Sequence, residues 1–179
     1  MTYVSQPVFG YVTFCEDVRF EIGGKRTLVG IYNAEMIFPV GHVWPTILPK
    51  LVVDINFSEP IDAPFTPTIF KIFNVDQEDS KDGPSVAAFE LPQPTTSPDD
   101  SIDRSMARRF VSIPVVFSPF QLNGPGHVRV RAFRGDAIMR LGALNIRTFS
   151  EVEQDNLRDI FPYDGNLQNI NLIPHSSRA

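Results

Sequence analysis

Four carboxylates in one turn are the residues of this sequence best suited to chemistry: Asp76, Glu78, Asp79 and Asp82. Ca²⁺ takes about six or more oxygen ligands, so a calcium site here would need further oxygens from Asp54 or Asp62. The spacing differs from that of an EF-hand, and charge runs between strands are usually solvated. We therefore expect a solvated turn, and a calcium site at Asp76–Asp82 is the alternative.

Five arginines gather on one strand-like hairpin further along the chain: Arg129, Arg131, Arg134, Arg140 and Arg147. Arg129 and Arg131 share a face because side chains alternate along a strand. On a chain with a net charge of −5, such a basic stripe could bind an acidic partner surface or a polyanion. Arg129, Arg131 and Arg134 are therefore candidate interaction residues, and a solvated sheet face is the alternative. The tripeptide Arg134-Gly135-Asp136 matches a cell-adhesion motif but has the composition of an ordinary turn.

Familiar catalytic and cofactor patterns are missing from the sequence. His42, His127 and His175 lie far apart and lack the partner spacing of a zinc site. A GxSxG elbow for a serine nucleophile is absent. The run Gly23-Gly24-Lys25-Arg26 lacks the first glycine and the final Ser or Thr of a phosphate loop. We therefore expect a chain that is not an enzyme and that binds no cofactor.

Composition favours an all-β protein made in a reducing compartment. The 179 residues suit one domain with extensions, and 15 Phe and 16 Pro favour strands joined by long loops. Cys15 is the single cysteine, so no internal disulfide can form, and its position within a strand predicts a buried thiol. The acidic charge argues against nucleic acid as a partner, and no apolar run approaches the ~20 residues of a membrane helix. Residues 1–6 lack a signal-peptide core, so we expect a cytoplasmic protein that is not secreted through a signal peptide and has no membrane partner.

Residues 14–38 predict a hairpin that turns at Gly23-Gly24, because glycine adopts the positive φ of tight hairpin turns. A two-residue loop would place Phe20 opposite Thr27. One face of the hairpin would then be apolar, formed by Val18, Phe20, Val29 and Ile31. Since a lone hairpin is marginal in water, this face should pack on a second layer. A bend is expected at Asn33-Ala34.

Further strands are predicted over 50–57, 68–75, 85–91, 108–117, 127–133 and 137–147. Prolines should exclude regular structure from 39–49, and Pro114 places the strand 108–117 at a sheet edge or ends it early. We predict an all-β fold, namely an antiparallel β-sandwich of Greek-key or C2/immunoglobulin-like topology, with a short C-terminal helix and an extended tail. The expected divisions are an arm at 1–7, the sandwich at 8–149 with a Pro-rich insert at 92–105, and the helix and irregular tail at 150–179.

The N-terminal motif resembles that of a bacterial and phage domain family of unknown function. The matching residues are Cys15-Glu16-Asp17-Val18-Arg19, Glu21, Gly23-Gly24-Lys25 and Leu28-Val29-Gly30-Ile31-Tyr32. A second likeness is the turn Pro125-Gly126-His127-Val128, which leads into a hairpin. The resemblance covers residues 8–148. It implies a β-sandwich and transfers no catalytic residue.

The tail carries four spaced aliphatic side chains that cannot form a core alone: Leu167, Ile170, Leu172 and Ile173. We predict that they contact protein partners, either further copies of this chain or other subunits of an assembly. The leading hypothesis is a non-catalytic structural or interaction module, such as a decoration or tail accessory protein of a phage particle, made in the bacterial cytoplasm and carried in the virion. The alternatives are a sandwich that binds glycan or Ca²⁺ through the loops around Trp44 and Asp76–Asp82, and a bacterial cytoplasmic protein of other function.

Overall fold

The computed structural model describes residues 7–61, 63–91, 93 and 107–150. Within these ranges the chain forms strands and no helix. The strands are β1 Phe9–Phe20, β2 Arg26–Ile31, β3 Glu35–Phe38, β4 Thr46–Leu48, β5 Leu51–Pro60, β6 Thr68–Phe73, β7 Ala87–Glu90, β8 Arg108–Phe117, β9 Phe120–Leu122, β10 Gly126–Arg134 and β11 Ala137–Thr148. The predicted all-β class is therefore confirmed.

Two sheets form the layers of a sandwich. The first sheet has the order β2-β1-β5-β8, and the second has the order β3-β11-β10-β6-β7. Strands β4 and β9 form a separate two-stranded ribbon. Neighbouring strands are antiparallel except for β3 and β11, which run parallel. Strand β8 lies at the edge of the first sheet, as Pro114 predicted.

The hydrophobic core lies between the two sheets. From the first sheet, alternate residues of β5 enter the core cluster: Leu51, Val53, Ile55 and Phe57. From the second sheet, β6 and β10 bury Phe70, Ile72, Val128, Val130 and Ala132. The rings of Phe57 and Phe70 meet edge to face, with centroids 5.4 Å apart. Burial of this apolar area is the main force that holds the layers together.

The predicted register of the first hairpin is wrong by one residue. Phe20 pairs with Arg26 rather than with Thr27, because the loop has three residues between Glu21 and Lys25. A slip of one residue moves every side chain of one strand to the opposite face. The apolar face predicted for Val18, Phe20, Val29 and Ile31 therefore does not form, and Phe20 and Ile31 are exposed.

The second half of the predicted hairpin divides into two strands that belong to different sheets. The bend expected at Asn33-Ala34 is present, and Ala34 has a φ of 67°. After this bend, β3 leaves β2 and pairs with β11 in the second sheet. A short strand, β4, also forms within 39–49, where prolines were expected to exclude regular structure.

Several predicted elements lie outside the described residues. These are the arm up to residue 6, nearly all of the insert at 92–105, the helix predicted after Ser150 and the tail with its four aliphatic side chains. The described strands extend from Phe9 to Thr148, within the range predicted for the sandwich. No helix in the described ranges is long and apolar enough to cross a membrane.

Candidate interaction site

The β1–β2 hairpin curves across the outer face of the first sheet. Strand β1 pairs with β5 through residues 9–15 and with β2 through residues 15–20, so its second half extends beyond β5. Arg26 stands near the tip of this hairpin, yet its side chain reaches Asp54 on β5 and Ser112 on β8. The far end of the hairpin therefore folds back over the sheet. Gly30 lies in the curved part with a φ of 66° that favours glycine.

A closed polar network holds the hairpin in this position. Arg26 Nη1 donates to Asp54 Oδ1 at 2.8 Å, and Arg26 Nη2 donates to the Ser112 hydroxyl. The Ser112 hydroxyl donates to Asn56 Oδ1 at 2.6 Å, and Asn56 Nδ2 donates to Asp54 Oδ2 at 3.0 Å. Asp54 is only 3% exposed, so its charge requires the guanidinium of Arg26. We call these four side chains the outer-face network.

A cavity of about 340 Å³ opens between the curved hairpin and the sheet. Six residues from three strands line it: Tyr11, Thr13, Arg26, Leu28, Asp54 and Asn56. Thr13 stands directly opposite Asp54, and Tyr11 stands directly opposite Asn56. The outer-face network thus forms the polar part of the cavity wall, while Tyr11 and Leu28 contribute apolar surface.

Exposed aromatic rings lie beside this cavity on the same sheet face. Phe9 and Phe110 flank Ser58 on one row across β1, β5 and β8, and both rings are exposed. The guanidinium carbon of Arg108 lies 4.8 Å from the centroid of the Phe9 ring, within the range of a cation–π contact. Tyr11 follows on the next row and is also exposed. The outer face therefore combines aromatic surface with a fixed polar centre.

The tip of the β1–β2 hairpin presents apolar side chains to solvent. Ile22 is 100% exposed and Phe20 is 71% exposed. Gly23 and Gly24 complete the loop with φ values of 83° and 76°. Two large apolar side chains are therefore exposed close together at the tip of this hairpin. We call Phe20 and Ile22 the tip pair.

Two of the predicted interaction arginines are covered by a loop of the same chain. Arg131 is 7% exposed, and its Nε lies 2.6 Å from Asp79 Oδ2. Arg129 Nε lies 3.2 Å from Asp79 Oδ1, and Arg129 also donates to backbone carbonyls of Asn74 and Gln77. The acidic partner of this basic stripe is therefore the predicted acidic turn itself. The stripe is not an open basic surface.

Arg134, the third predicted interaction residue, is paired inside the sandwich. Its Nη1 lies 2.6 Å from Oε2 of Glu59, a side chain with no exposed surface. Arg109 of β8 pairs with the other carboxylate oxygen of Glu59. Because Arg134 belongs to β10 and Glu59 to β5, this cluster joins the two sheets. The Arg134-Gly135-Asp136 turn therefore has its arginine directed inward.

The acidic turn also surrounds the side-chain ammonium group of Lys71. Lys71 is largely buried, and its Nζ donates to the carbonyl of Gly83 at 2.9 Å and approaches that of Ser80 at 3.5 Å. Asp79 is paired with Arg129 and Arg131. Across the described ranges, no three His, Cys, Asp or Glu side chains gather as a metal ion would require. These contacts give no support to the calcium alternative at Asp76–Asp82.

The loop around Trp44, which was the other predicted ligand site, forms an aromatic cluster at the edge of the core. The Phe38, His42 and Trp44 rings lie 4.4 to 5.0 Å apart, and Trp44 packs on the core. The ring surface that a glycan would need is thus partly covered. Cys15 is fully buried, as predicted, and burial raises the pKa of its thiol. A protonated thiol is a poor nucleophile.

Sequence reasoning missed the residues that build the outer face. Asp54 and Asn56 interrupt the otherwise apolar run 51–57, and two polar side chains at alternate positions of such a run indicate a buried polar network. Nothing in the sequence indicates that Arg26 would supply the missing charge, since that contact depends on the curve of the hairpin. The exposure of the tip pair depends on the same curve.

No protein-family model, curated protein or solved structure matches the chain. The resemblance of the N-terminal motif to a bacterial and phage domain family therefore stays a prediction.

Proposed function

We propose that this chain is a non-catalytic interaction module, a structural subunit of a larger assembly such as a phage particle. We propose further that the tip pair, Phe20 and Ile22, is its docking element for a neighbouring subunit. The observation that carries the proposal is the exposure of both side chains at the end of the β1–β2 hairpin. A role for the tail residues Leu167, Ile170, Leu172 and Ile173 in the same assembly is a separate part of the proposal.

Burial of the tip pair by a partner would supply substantial binding energy. Transfer of a fully exposed Ile or Phe side chain from water into an apolar pocket contributes roughly 1.5–3 kcal/mol. Aromatic and aliphatic anchors of this kind dominate many interfaces, while the surrounding contacts contribute little. In an assembly that repeats the same contact many times, two such anchors per copy would add up through multivalency.

The tip pair is also held in place before binding. Arg26 is the cross-strand partner of Phe20, and its ion pair with Asp54 fixes the end of the hairpin to the sheet. Lys50 Nζ contacts Asp17 Oδ1 at 2.8 Å and adds a second tie between the hairpin and the body of the domain. A docking element that is already ordered loses less conformational entropy on binding. This restraint favours a structural contact over a flexible arm.

Sedimentation velocity of the full chain over a wide concentration range tests the proposal. In this experiment the neighbouring subunit is a second copy of the same chain. We expect the wild-type chain to form higher assemblies, and we expect the double variant Phe20→Ser/Ile22→Ser to remain monomeric. Both substitutions are at exposed positions, so the fold should be retained, and circular dichroism would verify this.

Ile138→Ser is the matched control, because Ile138 is also exposed and follows the turn of the other long hairpin. This control should assemble like the wild type. A wild-type chain that stays monomeric at every concentration would contradict the proposal, as would a double variant that assembles normally.

A further inference from the structure

We infer that the cavity beneath the β1–β2 hairpin is a binding site for one pyranose ring of a neutral sugar. This site is distinct from the loops around Trp44 and Asp76–Asp82. It does not depend on the tip pair, since neither Phe20 nor Ile22 lines the cavity. The volume of about 340 Å³ lies at the small end of the range for ligand pockets, which suits a ligand of one ring.

The charge of the cavity favours a neutral ligand. The carboxylate of Asp54 and the guanidinium of Arg26 face each other at 2.8 Å, so their charges compensate. An anion would compete with Asp54 for Arg26, and a cation would compete with Arg26 for Asp54. A neutral ligand with both donors and acceptors can instead bond to the outer edges of this pair without separating it.

Two hydroxyl groups of the cavity wall are available for such bonds. In the described part of the chain, no hydrogen bond uses the hydroxyl of Tyr11 or Thr13. Each hydroxyl can donate once and accept, which matches the dual character of a sugar hydroxyl. The network side chains Asp54 and Asn56 are nearly buried and bond to each other, so the accessible polar groups of the wall are these two hydroxyls and the guanidinium of Arg26.

The apolar part of the wall suits the ring of the sugar. A pyranose has a hydroxylated edge and a face of C–H groups, and that face packs on an aromatic ring. Tyr11 stands opposite Asn56, so its ring lies beside the polar groups that would bind the edge. Leu28 on the hairpin supplies a second apolar surface. An aromatic ring, two hydroxyl groups and a guanidinium thus meet around a volume that suits one ring.

Isothermal titration calorimetry and saturation-transfer NMR test this inference. The probes are glucose, galactose, mannose and N-acetylglucosamine, and the comparators are adenosine and inorganic phosphate. We expect saturable binding of at least one sugar in the millimolar range. Tyr11→Ser should weaken this binding at least tenfold, and Thr13→Val should weaken it about threefold to tenfold through loss of one hydrogen bond.

Two variants separate the cavity from its surroundings. Phe110→Ser removes an exposed aromatic ring from the same sheet face but outside the cavity, and Ile22→Ser removes half of the tip pair. Both should bind sugar like the wild type, so failure of the docking proposal and failure of the sugar site are distinguishable. Absence of saturable binding by every sugar would overturn the inference. Preference for adenosine or phosphate, or equal loss in Phe110→Ser, would overturn it as well.

Discussion

The two long hairpins of this chain, β1–β2 and β10–β11, both alternate apolar and polar residues. They differ in burial, because one is enclosed by the fold and the other is largely exposed at its tip. Strand β10 lies between β6 and β11, and its apolar residues Val128, Val130 and Ala132 have no exposed surface. Strand β2 lies at the edge of the first sheet, and the tip of its hairpin exposes Phe20 and Ile22. The second hairpin therefore holds the sandwich together, while the first presents a surface.

Ion pairs reflect the same difference. At the end of the second hairpin, Arg134 meets Glu59 in the interior between the sheets. On the first hairpin, Arg26 meets Asp54 at the outer face, beside an open cavity. A charge pair between layers serves global stability, whereas a pair under a curved hairpin sets the position of one element. Loss of each pair should therefore have a different consequence.

The largest effect is expected for Glu59→Ala. This substitution leaves Arg109 and Arg134 without their shared carboxylate, and removal of one member of a buried charge cluster costs about 3–5 kcal/mol. Urea denaturation should show this loss in the free energy of unfolding. The control is Glu35→Ala, whose exposed pair with Arg147 should contribute about 0–1 kcal/mol. Equal effects of the two substitutions would refute the distinction between buried and exposed pairs.

The next largest difference is expected between the stability losses caused by truncating one leucine in each hairpin, Leu144 of β11 and Leu28 of β2. Leu144 of β11 is fully buried, so Leu144→Ala should cost about 2–5 kcal/mol through lost contacts and the cavity left behind. Leu28 of β2 is half-buried at the cavity wall, so Leu28→Ala should cost about 1 kcal/mol or less. Thermal and urea unfolding would measure both. A larger loss for Leu28→Ala would mean that the first hairpin belongs to the core.

Arg26→Ala should loosen one hairpin without unfolding the domain. It leaves the buried carboxylate of Asp54 with less compensation, which costs about 1–3 kcal/mol of local stability. Hydrogen exchange of the β2 amides should become faster, while that of the β10 amides stays unchanged. Arg19→Ala, which removes an exposed arginine of the same hairpin, should change neither. Faster exchange in both hairpins after Arg26→Ala would show that the pair has a global role.

An effect confined to alkaline pH is expected at the base of the first hairpin. Burial raises the pKa of Tyr32 from its ordinary value of 10.0 to about 12. Because the folded state holds this proton more tightly, its contribution is present below pH 10 and is lost as pH rises from 10 to 12. Absorbance titration should show a late phenol that Tyr32→Phe removes. A Tyr32→Phe chain with the same alkaline loss of stability would contradict this assignment.

Sequence periodicity predicted most strands because alternation of apolar residues follows directly from burial of one face. The β10–β11 hairpin was predictable, since its pattern, its turn and its core face agree. The first hairpin was predicted with a wrong register, because Gly23-Gly24 permits both a two-residue and a three-residue loop. The contact of Arg26 with Asp54 joins residues 28 positions apart through the curve of a strand. A contact between residues so far apart in the chain cannot be predicted from the local sequence around either of them.

Hydrogen exchange of the full chain in dilute and concentrated solution tests the central claim most directly. The peptide that contains residues 19–26 reports on the tip pair, and the peptide that contains residues 134–139 reports on the other hairpin turn. We predict that concentration slows exchange in 19–26 and leaves 134–139 unchanged. Unchanged exchange in 19–26, with or without assembly of the chain, would contradict the claim that the first hairpin is the docking element.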